Sequence, residues 1–141
     1  MWVRSFNKNY RDIDEQTIWK TWVDVNNWPK WDSELDFCDM KCNFDEGTTF
    51  MLKPKQGPKV SLHISGVLPN RKFTSYCRFP GAVMYNFHEI TREMGEINIT
   101  NTITVKGPLA FLWSNLVAKK VAKAVPKQTD NLVEYARRYH G

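Results

Sequence analysis

Histidine, cysteine and glycine are scarce in this 141-residue chain, and each scarcity narrows what it can do. The three histidines, His63, His88 and His140, stand far apart, so no pair has the spacing of a zinc or iron site. Three cysteines, Cys38, Cys42 and Cys77, are an odd number, too few for a disulfide framework, and are expected to be free thiols. Cys38 and Cys42 lie in a stretch that alternates like a strand, where residues four apart are separated by about 13 Å and cannot share one ion. The seven glycines form no phosphate-cradling loop, and no G-x-S-x-G elbow occurs. Metalloenzyme, nucleotide-binding and hydrolase readings are therefore disfavoured, and no metal or cofactor is expected. No apolar run approaches the roughly 18 residues of a membrane span. The opening MWVRSFNKNYR lacks the apolar core of a secretion signal. A cytoplasmic protein without membrane insertion is the expectation.

What is present is a core. Hydrophobic residues make up 42% and aromatics 13%, too much for a disordered chain and enough for one globular domain over 1–141. The net charge of +5 is compatible with nucleic acid, anionic lipid or an acidic protein. The cations are spread along the chain except near the C-terminus, so solubilising charge is the simpler reading and no nucleic acid is expected.

The periodicity changes twice. Residues 2–10 roughly alternate, as a first strand. Asp12 or Asp14 can cap a helix over about 14–26, in which Ile18, Trp22 and Val25 fall at helical spacing. Trp28-Pro29 stops it, and "NWPKWDSEL" reads as a turn or a single helical turn. Period two then predicts strands at 35–43, 48–54, 59–67, 72–79, 83–92 and 96–106, joined by short turns as an antiparallel meander. From Pro108 to Tyr139 an apolar stripe at spacing three and four predicts a long amphipathic helix, kinked or divided at Pro126. Lys119, Lys120, Lys123 and Lys127 fall mostly off that stripe. The expected fold is α+β: a curved seven-stranded antiparallel sheet wrapped around a long C-terminal helix, with a helix and a short second helix between strands 1 and 2. The space between sheet and helix is either filled by side chains or open as a pocket.

"NNWPKWDSEL" (26–35), the Gly47 turn after Phe44 and "VKGPLAFLW" (105–113) occur in an order and spacing that resembles the polyketide cyclase/dehydrase-like branch of the START-related, Bet v 1-like helix-grip superfamily. The resemblance covers essentially the whole chain. It implies a hydrophobic cavity between sheet and helix but not one function, since such proteins include carriers, receptors, cyclases and hydratases. No fixed catalytic set carries over.

Within that architecture one residue breaks its pattern. Ile97, Ile99, Ile103 and Val105 alternate with Asn98, Thr100, Thr102 and Thr104, yet Asn101 occupies the apolar row. A buried amide without a partner is unfavourable by a few kcal/mol, so Asn101 should meet a neighbouring side chain, a water or a ligand. On the preceding strand either Met84, Asn86, His88 and Ile90 or Tyr85, Phe87, Glu89 and Thr91 face inward. Met84 and Ile90 favour the first set, which brings His88 near Asn101. His88, Asn101 and Arg78 are the candidates for acid–base or oxyanion chemistry. Candidate cavity residues are Trp28, Trp31, Phe50, Leu62, Ile64, Phe73, Met84, His88, Ile99, Asn101, Ile103, Leu112, Trp113 and Leu116. His63 is expected in solvent. Three functions follow: binding, for carriage or sensing, of a lipid, isoprenoid, polyketide or aromatic molecule; a cyclase or dehydratase acting in the same cavity; or a filled cavity with an acidic partner docked on the basic helix.

Overall fold

The structure, a computed structural model, describes residues 1–141. Strands β1 (Trp2–Tyr10), β2 (Leu35–Asp39), β3 (Thr49–Pro54), β4 (Val60–Leu68), β5 (Lys72–Phe79), β6 (Ala82–Glu93) and β7 (Glu96–Lys106) form one antiparallel sheet in the order β1-β7-β6-β5-β4-β3-β2. All seven expected strands are present. β2 is shorter than expected because Asn26 pairs with Met40 as a strand would, accepting from its N–H at 2.7 Å and donating to its carbonyl at 3.2 Å.

Helix α1 (Glu15–Val23) starts at Asp14, whose carboxylate accepts from the Thr17 N–H at 2.8 Å. It stops before the expected 26. A tighter 3-10 segment, Val25–Lys30, contains Pro29 and supplies the short second helix. Together these cover one end of the concave sheet.

The long C-terminal helix differs from expectation in where it is interrupted. α2 (Ala110–Trp113) runs into a π-helical turn, Ser114–Ala118, and then into α3 (Lys119–Tyr139), which passes through Pro126 unbroken. Trp113 explains the displaced irregularity. Its ring stacks on Phe79 at 4.5 Å, and its Nε1 donates to the Pro80 carbonyl at 2.8 Å. Ala118 and Ala122, one and two turns on, are pressed against the sheet. A widened turn lets both attachments hold. Gly107 permits the sharp entry into this helix: its φ is +125°, and a Cβ there would lie 2.5 Å from the Gly81 carbonyl oxygen.

Two apolar clusters hold the layers together. The larger joins α1, the 3-10 segment, β2–β7 and the end of α3 through Trp22, Trp28, Phe50, Phe73, Ile97 and Leu132. The smaller joins β6, β7 and the first half of the helix through Ala82, Ile103, Val105, Ala118, Ala122 and Val125.

Candidate functional site

The seam between those clusters is polar. Ile99 belongs to the larger and Ile103 to the smaller, and Asn101 lies between them, only 6% exposed. Strand register places Phe6, Asn101, His88 and Phe73 in one row across four strands. The adjacent row pairs Ile103 with Asn86 and Asn86 with Ser75. The inward set of β6 is therefore Met84, Asn86, His88 and Ile90. On α3 the change of cluster falls at Thr129, between Val125 and Leu132, where its hydroxyl donates back to the Val125 carbonyl at 2.7 Å.

His88 is held flat on Phe73, 4.4 Å between ring centres and 18° between planes, with Trp22 at 5.5 Å. Its Nδ1 accepts from Asn101 Nδ2 at 3.2 Å, which leaves the ring proton on Nε2. Burial pushes its pKa from 6.5 down to about 3, so the ring is neutral at physiological pH. Nε2 makes no hydrogen bond within the chain and is not sealed off, and the residue keeps some accessible surface despite dense surroundings. The Oδ1 atoms of Asn86 and Asn101 are enclosed, and no group of the chain donates to them. Each is a buried acceptor for which the chain supplies no donor, worth about 1–3 kcal/mol against folding.

The helix covers this face unevenly. Ala110, Ser114, Ala118 and Ala122 are buried, and their small side chains bring the helix close over Ile103 and Val105. Met84, Asn86 and His88, in the middle of the sheet, remain half-buried, as do Val117, Val121 and Ala124 on the helix flank. The concave face thus keeps some accessible surface along β6, at Met84, Asn86 and His88, while the amide oxygens of Asn86 and Asn101 are enclosed.

The expected site residues separate into groups. Phe50, Ile64, Phe73, Ile99 and Ile103 are buried, and Leu62 and Met84 pack half-buried against the clusters. Trp28 is core, donating to the Trp22 carbonyl at 3.0 Å, and Trp31 packs beside it. Trp113 covers the β5–β6 turn. Leu112 and Leu116 do not reach the cavity: they are 39% and 55% exposed, because the alanine stripe occupies the sheet-facing side. Arg78 is not part of the cluster either. It is exposed, and its guanidinium lies 5.6 Å from the centre of the Tyr76 ring, on the opposite phase of β5 from Phe73, Ser75 and Cys77. His63 stacks on the same Tyr76 and pairs with Thr49. Asn86 was missing from the candidates, although it shares a phase with His88. Asp32 was missing as well: it is buried, tied to the side-chain amide of Gln128, and its pKa is raised by burial. Its turn with the Glu34 N–H, at 3.0 Å, is visible only in the structure. No group of three or more His, Cys, Asp or Glu is placed to hold a metal ion.

No family model matches the chain, and no curated protein matches it in sequence. Solved structures do match. A START superfamily protein from Mycobacterium smegmatis aligns over 94% of this chain and 97% of its own, at 14% identity and a TM-score of 0.71. Ara h 8.0201 aligns over 97% and 99%, at 14% identity and a TM-score of 0.71. The hypothetical protein jhp0584 from Helicobacter pylori aligns over 95% and 87%, at 14% identity and a TM-score of 0.76. The fold is the helix-grip fold. At these identities the likeness is one of backbone: it covers the sheet, α1 and the long helix, and it leaves the chemistry of the seam to this chain's own residues. No helix is long and apolar enough to cross a membrane.

Proposed function

We propose that the chain binds a small, neutral, largely apolar molecule between the sheet and the C-terminal helix, for carriage or sensing, and that Asn86, His88 and Asn101 hold its one hydroxyl or carbonyl group. Lipid alcohols, isoprenoids, polyketides and aromatics belong to this class. The observation that carries the reading is the polar seam: two acceptor oxygens without donors and one ring N–H without an acceptor, set between two apolar clusters. A hydroxyl fits best, since it both donates and accepts. A carboxylate or phosphate fits poorly, because the seam offers no cation to pair with its charge.

A cyclase or dehydratase would use the same row. His88 does not favour it, because a ring that stays neutral down to about pH 3 is a poor base at neutral pH. A filled cavity serving only a protein interface is opposed by the accessible surface left on Met84, Asn86 and His88.

The test is native mass spectrometry of the purified protein before and after organic extraction, followed by titration with the neutral probe N-phenyl-1-naphthylamine. Saturable probe binding, displaced by a long-chain alcohol in preference to the matching fatty acid and weakened in Asn101→Leu, is the expected result. No bound molecule and no saturable probe binding would overturn the proposal.

A further inference from the structure

Charge is more segregated than the linear sequence suggests. Residues 1–11 and 97–129 contain eight of the 20 Lys and Arg and none of the 15 Asp and Glu, so these segments carry +8 and the remainder −3. In the fold they are neighbours: β1 pairs along the whole of β7, and β7 leads directly into the C-terminal helix. Lys8 with Asp130 and Arg11 with Glu96 close the border of this region. Inside it Arg4, Lys106, Lys119, Lys120, Lys123 and Lys127 pair with no carboxylate.

The same helix carries apolar side chains on its outside. Leu109, Leu112 and Leu116 are 37%, 39% and 55% exposed, and Phe111 beside them is 67% exposed. Leu109, Leu112, Leu116, Lys120, Lys123 and Lys127 follow one another at spacings of three and four, an outward stripe that is apolar in its first half and basic in its second. The sheet-facing stripe is built from Ala110, Ser114, Ala118 and Ala122, so the leucines are surplus to the core.

We propose that this end of the molecule, from Leu109 to Lys127, docks on an anionic lipid surface, with Phe111, Leu112 and Leu116 entering the acyl boundary and Lys119, Lys120 and Lys123 meeting the headgroups. Charge complementarity selects the partner: an acid-free surface attracts anionic lipid, and each lysine near such a surface strengthens binding roughly fivefold. Separately protruding apolar side chains suit a deformable lipid boundary better than a protein, which would need a matching pocket for each. Surface docking is distinct from spanning, which no helix here can do. It does not depend on what the concave face holds. Trp113 fixes the docking end beside the β5–β6 turn, so docking would set one end of that face against the lipid.

The experiment is co-sedimentation of the full chain with vesicles of phosphatidylcholine alone and of phosphatidylcholine mixed with phosphatidylglycerol. Binding to the mixed vesicles only, weakened by added salt, is expected. The triple variant Lys119→Ala, Lys120→Ala, Lys123→Ala should lose roughly a hundredfold in vesicle partition. Phe111→Ser with Leu116→Ser should lose more than about tenfold, since both apolar side chains are withdrawn from the lipid boundary. All five positions are exposed or half-exposed on the helix exterior, and an unchanged urea midpoint will confirm that each variant is folded. Absence of binding to anionic vesicles at low salt overturns the proposal and leaves the lysines to an acidic protein. Equal binding to both vesicle types, or parent-like binding by either folded variant, overturns it as well. Ligand binding at the seam is read by a separate titration, so the two proposals fail independently.

Discussion

Replacing His88 with Phe and Asn101 with Leu together should make the protein more stable while abolishing ligand binding. The magnitude follows from the seam. The hydrogen bond between Asn101 Nδ2 and His88 Nδ1 is worth about 1 kcal/mol net. Against it stands the unpartnered Asn101 oxygen, which weighs on the folded state by about 1–3 kcal/mol. Apolar surface gained on burial by Phe and Leu adds about 1–2 kcal/mol, and the half-open face gives the larger side chains room. A phenyl ring also keeps the stack on Phe73. The balance is a gain of roughly 1–4 kcal/mol, or several degrees in Tm. Urea unfolding followed by tryptophan fluorescence reads it, provided that the slope with denaturant is unchanged. Asn101→Leu alone should fall short of the double variant, because it leaves His88 Nδ1 without a donor. A double variant less stable than the parent by more than about 2 kcal/mol would refute the reasoning, because the seam would then be a stabilising device rather than a binding site.

Acid should expose His88 through stability. The unfolded chain takes up its proton near pH 6.5, whereas the folded chain resists it to about 3. Stability from this group is therefore complete above 6.5 and falls as pH drops below it, at about 1.4 kcal/mol per pH unit. The urea midpoints of the parent and of His88→Phe should diverge as pH falls, the variant losing less; parallel curves would mean that the buried ring accepts a proton in place. Thiol chemistry gives an independent check on packing. Burial raises Cys38 to about 12 and Cys77 to about 11, while Cys42 is exposed. Ellman's reagent at mildly alkaline pH should label one thiol quickly and the other two only on unfolding, and rapid labelling of all three would contradict the buried positions.

Local periodicity determined much of this protein. Alternation along 97–105 and the turn residues between strands sufficed for a meander, because a pleated strand with one buried face must alternate. The thirty-residue stripe sufficed for the helix, and the break at Asn101 was legible because every neighbour in its row is aliphatic. Three things needed the tertiary structure. Every residue from Val83 to Glu89 is half-buried, so neither phase of β6 announced itself until register set His88 beside Asn101. The helix carries a leucine stripe and an alanine stripe at the same spacing. Close approach to the sheet selected the small residues and turned Leu112 and Leu116 outward. Its irregularity arose at Ser114–Ala118 rather than at Pro126, because Trp113 is fastened to the β5–β6 turn by residues some thirty positions earlier. Periodicity is a property of neighbours along the chain. Which of two equivalent faces is buried is decided by what lies across from it.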